Sequence, residues 1–389
     1  MSTTTTPPPR TARTQLPSRE DLPPAYPRVG VGAPTAEERF VRIGSWAAGF
    51  ALAWILTQRV LPLGGLPWLI VAGFVCGLLV TAVTTAMTGS RVDVADRLMA
   101  SIITGGAVVV LLALATTITF TFLEGWRPLV HLNFYYDDMA GVGPRDPLNK
   151  GGIGHAILGS LIELGIAIAI TLPLGVGTAV FMVEIGGRFA RLVRTIVEAM
   201  TALPSIVAGL FIYVTIIVGL GIPPSGLAAS LAISVMMLPI IARAADVVLR
   251  VVPGGLREAS LALGASRWKT VWHVVLPTAR PGLATALILG VARGVGETSP
   301  VLLTSGAASF YVWNPSDGVM NSLPLYIFFA VRSGEPLLIV RGFGAASVLL
   351  AVVLILFVTA RLLARPRSNR SRSLRRTRVR PDHKSVETP

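Results

Sequence analysis

Four charged side chains lie inside apolar runs of this sequence: Glu163, Glu198, Arg293 and Glu297. Charge in a hydrocarbon setting is costly, so such groups face a bundle interior or an aqueous path. Arg293 and Glu297 are four residues apart, the spacing at which two side chains on one helix can pair. An arginine fork donates paired hydrogen bonds and suits oxyanions. The pair therefore has two readings. Either Arg293 helps an anion across while Glu297 holds the arginine, or the two neutralise each other and lock helix packing. Glu163 and Glu198 repel an anion unless paired or protonated, so they read as gates, proton-sensitive struts or interhelical hydrogen-bond partners. Glu198 lies close to the end of its apolar run.

Catalytic chemistry has little to stand on. His131, His155, His273 and His383 are scattered and form no nucleophile–base or metal constellation by spacing. The single cysteine, Cys76, excludes an internal disulfide and a cysteine-held metal. The nearest approach to a P-loop ends in Trp268-Lys269-Thr270, with Leu263 and Trp268 where its two glycines belong. No catalytic residue, bound cofactor or metal is expected, and a membrane-embedded enzyme or assembly factor is the remote alternative.

The elements that must position these charges are membrane spans. Of 389 residues, 52% are hydrophobic and 14% charged, against about 25% charged in soluble domains. Apolar runs long enough to cross a bilayer recur. Eight are expected, near 43–62, 66–88, 98–123, 155–183, 195–220, 226–246, 283–304 and 341–363, giving an all-α polytopic membrane protein. An even number puts both termini on one side. With the termini inside, 27 of the 34 Lys and Arg fall inside and 6 outside, which makes both termini cytoplasmic. The net charge of +14 is concentrated in these segments and in the tail after Arg361, which points to anionic lipid and not nucleic acid. Residues 1–42, rich in Thr, Pro and Arg, read as a disordered cytoplasmic tail, and 365–389 as a basic one. The extra hairpin 43–89 carries Gly73 and Gly77 at a spacing that suits close helix packing. The segments 124–152 and 305–338 fall outside, and their aromatic residues suit either interfacial anchoring or contact with an external partner.

One cytoplasmic segment, 255–277, is basic and amphipathic. Leu256, Ala259, Ser260 and Leu263 make a weakly apolar helical face. Gly264 can end that helix in the left-handed conformation, and Ser266 can cap a second. There Trp268, Val271, Trp272, Val275 and Leu276 follow helical spacing, with Pro277 at the expected end. Such a hairpin either lies on headgroups or docks into a groove on a cytosolic protein.

Glu258-Ala259-Ser260, then Gly264, Val274 and Leu276-Pro277, resembles the E-A-A-x3-G-x9-I-x-L-P loop of ABC importer permeases, with Ser260 for the second Ala and Val274 for Ile. The resemblance covers about 150–364 by motif and 90–364 by span count, the last six spans resembling a type I ABC importer permease core. It implies that Glu258, Ala259, Gly264, Trp268, Trp272, Leu276 and Pro277 couple the chain to a cytosolic ABC ATPase dimer, which binds the ATP.

Ala292-Arg293-Gly294-Val295-Gly296-Glu297-Thr298-Ser299-Pro300 and Pro204-Ser205-Ile206-Val207-Ala208-Gly209-Leu210-Phe211 are similar to segments of phosphate-specific transport permeases, with Ser299 for Ala and Ala202-Leu203 for the usual glycine and β-branched residue. Pro300 favours the A-type over its C-type sibling. The resemblance implies half of a phosphate pathway through Arg293, Glu297, Glu163 and Glu198. Its implied partners are a sibling permease in a heterodimer, an extracytoplasmic phosphate-binding protein and membrane lipid. The alternatives are a sulfate or molybdate permease, or the sibling phosphate permease.

Overall fold

The computed structural model describes residues 36–61 and 65–364. The expected tail 365–389 and most of the expected tail 1–42 lie outside the described residues. Among those described, regular structure is entirely helical. Two compact units divide within one helix, between Leu114 and Ala115.

The first unit contains α1 (Ala36–Ile55, running into a π-turn at Leu56–Val60), α2 (Leu66–Thr88) and the first part of α3 (Arg91–Leu129). The paired glycines explain the close fit of α1 on α2. A Cβ on Gly49 would run into the Gly77 backbone, Gly77 faces the Trp46 ring, and Gly73 faces Phe50. Lipid tails are as apolar as leucine, so close van der Waals packing of small residues holds such helices together.

The second unit begins with the rest of α3 and continues through α4 (Asn133–Tyr136), α5 (Gly154–Val180, closing in a π-turn at Phe181–Ile185) and α6 (Gly187–Thr201). Then come α7 (Ser205–Ile212, with a π-turn at Tyr213–Val218), α8 (Gly226–Val251), α9 (Gly254–Ala262) and α10 (Arg267–Thr270). The last elements are α11 (Leu276–Val295), α12 (Ser299–Thr304), α13 (Leu323–Arg332) and α14 (Pro336–Ala364). The core lies between α5 and α8. Leu164 and Ala167 meet Ala229, Ile233, Met237 and Ile241, and Val295, Val301 and Leu325 close over them. A Cβ on Gly175 would stand 2.8 Å from Ile241, so that crossing requires glycine.

Seven described helical runs are long and apolar enough to cross a membrane, α10 and α11 being joined into one of them. Three expected boundaries differ. The expected span 195–220 is a pair of helices, α6 and α7, bent by 107°. Pro204 adopts an extended ψ of 137° at the break and has no N–H to continue the helix. α6, with Arg188, Arg191, Arg194 and Glu198, is also too polar to enter lipid as half of a straight span. The expected span 283–304 breaks at 296–298, where Gly296 is followed three residues later by Ser299-Pro300. Pro277 does not end the hairpin's second helix. A π-turn at Val271–Val275 lies just before it, and one continuous helical run extends from Arg267 to Val295. The widened turn accommodates the missing N–H.

Candidate functional site

Two of the intramembrane charges share one crevice. Glu163, on α5, is 1% exposed and Glu297, in the break after α11, is 7% exposed. Both line the same narrow cleft with Ser160, Gly294, Ser322 and apolar residues of α8 and α14. Ser305 Oγ is 2.7 Å from Glu163 Oε1 and 2.9 Å from the Met320 carbonyl, which it reaches from just beyond α12. The buried carboxylate is thereby tied to the segment that follows the break.

Arg293 Nε lies 2.8 Å from Glu297 Oε1. The pairing is the one expected, but the geometry is not that of a continuous helix. Arg293 occupies the last turn of α11, and Glu297 lies beyond its end at Val295. The partners also differ in environment, with side chains 52% and 8% exposed. Glu297 is buried as an anchor, and its arginine reaches out from the protein surface.

The two segments that carry the phosphate-permease resemblance meet in space. α7 packs on α12, and a Cβ on Gly209 would lie 2.6 Å from Pro300 Cα. Glu198 stands apart. It is exposed on amphipathic α6, and the Thr201 hydroxyl donates to its main-chain carbonyl. Its place in the sequence run was misleading because the helix turns at Pro204.

The hairpin is built as two helices with a glycine corner. Gly264 has φ +82° and Ser266 Oγ accepts the Lys269 N–H at 3.4 Å. Ser260 and Thr270 hydroxyls lie 2.9 Å apart and tie the two arms. The apolar stripe of the second arm divides its work. Val271 and Val275 are buried, and Val275 packs into a cluster with Ala179, Met182, Ala245 and Leu249. Trp268 and Trp272 stay outside, edge to face at 5.7 Å, and Leu263 at the glycine corner is exposed as well. Glu258 and Ala259 are also exposed, and Leu276 and Pro277 half-buried. The hairpin thus has a rooted base and an apolar aromatic tip.

Arg257 is a site residue that sequence reasoning passed over as loop charge. Its Nε donates to Glu184 Oε1 at 3.0 Å, Nη1 to the Val252 carbonyl at 2.7 Å and Nη2 to the Leu249 carbonyl at 2.9 Å. It therefore caps the exposed carbonyls at the end of α8 and pairs with the end of α5. Spacing gives no hint of a partner 73 residues away. A second strut runs from α6 to α8, where Asp246 accepts from Arg194 at 3.2 Å and from Arg250 at 3.1 Å.

The sequence profile of the family described as "Binding-protein-dependent transport system inner membrane component" matches residues 171–367. The "Phosphate transport system permease protein PstA 1" of Mycobacterium tuberculosis is 37% identical over 257 residues, covering 66% of this chain and 84% of that protein. The "Phosphate transport system permease protein PstA" of Haemophilus influenzae is 33% identical over 213 residues, covering 54% and 73%. The "Probable ABC transporter permease protein YqgI" of Bacillus subtilis is 39% identical over 184 residues, covering 46% and 62%. The chain is therefore a multi-pass membrane protein and belongs to the binding-protein-dependent transport system inner membrane component family.

Proposed function

We propose that this chain is a permease subunit of an ATP-driven phosphate importer and forms half of its translocation pathway. The observation that carries the reading is the asymmetry of the Arg293–Glu297 pair. A packing lock would seal both partners, whereas here the arginine is 52% exposed and the carboxylate 8%. Such an arginine keeps donors available for an anion while the buried carboxylate fixes its position. The phosphate assignment draws on the relatives named as phosphate permeases at 37% and 33% identity. Glu163 and its bond from Ser305 would serve as a strut that tightens or loosens as the helices move.

The hairpin 255–277 would face the cytoplasm, with both chain termini, as the Lys and Arg distribution favours. Its tip at Leu263, Trp268 and Trp272 would enter a cleft on a cytosolic ABC ATPase dimer, where ATP binds and is hydrolysed. Glu258 and Ala259 face the same solvent, while Leu276 and Pro277 root the second arm. ATPase closure would then move a rooted lever and rock the spans between outward-open and inward-open states. A sibling permease would complete the pathway, and an extracytoplasmic phosphate-binding protein would deliver the anion. Region boundaries at 43–89 and 90–364 follow the same reading, with the first two spans an addition to the transport core. In proteoliposomes holding the assembled importer, ATP should drive accumulation of labelled phosphate. Accumulation of sulfate or molybdate instead would transfer the chain to another oxyanion.

A further inference from the structure

We infer that His155, Tyr326 and Arg341 form a binding site for a small oxyanion, separate from the Arg293–Glu297 pair. The three side chains come from the first turn of α5, from α13 and from the start of α14. They are 3%, 7% and 0% exposed. The His155 and Tyr326 rings meet edge to face at 5.8 Å. Both residues of the ring pair line a solvent-open pocket with Asn321, Leu338 and the turn at Gly141 and Gly143. Arg341 does not line that pocket itself; it follows Leu338 by three residues on α14, and its Nη2 holds the Asp146 and Pro147 carbonyls just after the lining residues Gly143 and Pro144.

The cluster is polar, buried and incompletely bonded. Among the described residues, neither ring nitrogen of His155, nor the Tyr326 hydroxyl, nor Arg341 Nε or Nη1 has a hydrogen-bond partner. Buried polar groups in folded proteins are nearly always partnered, and exceptions call for an occupant or a function. Arg341 is held at one end alone. Its Nη2 donates to the carbonyls of Asp146, Pro147 and Lys150 at 3.2, 2.9 and 2.8 Å, which leaves the other two nitrogens directed elsewhere. No carboxylate forms an ion pair with it among the described residues. Asp146 accepts the Gly143 N–H at 2.9 Å with its own carboxylate, and Asp138, the acidic group acting on His155, accepts the Ala140 N–H at 3.1 Å. A buried guanidinium hydrogen-bonded only to carbonyls, with the Asp146 carboxylate acting on it without an ion-pair contact, is poorly compensated. Two free N–H groups of a guanidinium, a phenol and an imidazole together match the acceptors and charge of one oxyanion. The polar atoms themselves are covered, so binding requires them to be uncovered toward the adjoining pocket.

The site rests on geometry, and the choice of phosphate as its ligand rests on the permease reading above. The test uses the purified full chain in detergent and measures equilibrium binding of inorganic phosphate, with sulfate and acetate in parallel. Arg293→Gln removes the pathway arginine. Tyr326→Phe and His155→Gln remove polar atoms that have no hydrogen-bond partner among the described residues, so no hydrogen bond there is lost. Phosphate binding should survive Arg293→Gln and weaken about tenfold or more when Tyr326→Phe or His155→Gln is added. The melting temperature of these two variants without phosphate should stay level or rise. Binding lost with Arg293→Gln alone, or unchanged in the cluster variants, would overturn the site. So would a fall in melting temperature, because the side chains would then be structural. Sulfate bound at the cluster in place of phosphate would uphold the site and overturn the phosphate assignment.

Discussion

Removing Arg257 should free the hairpin from its base. The side chain makes three hydrogen bonds, one to Glu184 and two to the last carbonyls of α8. Arg257 and Glu184 side chains are 21% and 18% exposed, so solvent screens them only in part. Charge-assisted hydrogen bonds each contribute about 1.5–3 kcal/mol, and the partial exposure holds the whole set near 2–3 kcal/mol. Arg257→Ala should therefore raise the opening of the hairpin about 30- to 150-fold. Arg257→Lys keeps the charge but lacks the fork that reaches both carbonyls, and should fall between the two. The assay is hydrogen exchange on the intact importer in nanodiscs. Amides of α9 and of 269–275 should exchange faster in the variant, while those of buried α8 around Met237 should not change. In the same preparation, ATP turnover should outrun phosphate uptake, since the ATPase would move a lever no longer fixed to α5 and α8. Unchanged protection across α9 in Arg257→Ala would refute the reasoning, because the strut would then carry no load.

Gly264 offers a cleaner separation of strain from docking. At φ +82° any L-residue is strained by about 1–2 kcal/mol, yet a Cβ there meets nothing within 4 Å. Gly264→Ala should stimulate ATPase activity nearly as well as wild type and Gly264→Trp should fail, although both insert in the membrane; equal stimulation by both would remove the docking role. Gly209→Val should separate α7 from α12, because its Cβ would lie 2.6 Å from the Pro300 backbone, at a cost of about 1–3 kcal/mol read as a lower melting temperature. Deleting residues 1–88 should leave a permease that inserts and retains part of its phosphate uptake; complete loss of uptake despite insertion would make the first two spans part of the transport machinery.

Much of this protein was legible in its sequence because lipid imposes a simple rule. Every backbone polar group must be bonded within its own helix, so long apolar runs are helices, and most expected spans lie where hydropathy puts them. The hairpin was legible for local reasons, since a left-handed glycine and a serine cap act within a few residues. The misses are partly local and partly set by tertiary packing. A proline effect at Pro204 turned one apolar run into two helices and carried Glu198 onto an exposed face. The break at 296–298 separates Arg293 from Glu297 along the helix and still leaves them paired. Arg257 and Arg341 looked like ordinary flanking charges, because their carbonyl partners are set by tertiary packing that no spacing encodes.

The most direct test of the account is ATP-dependent uptake of labelled phosphate into proteoliposomes containing the purified importer, with wild type beside Arg293→Ala. The account predicts phosphate accumulation that requires ATP and disappears in Arg293→Ala, with the complex still assembled. Wild-type uptake by Arg293→Ala would return the Arg293–Glu297 pair to helix packing. An assembled wild-type complex that hydrolyses ATP and accumulates no phosphate would contradict the central claim.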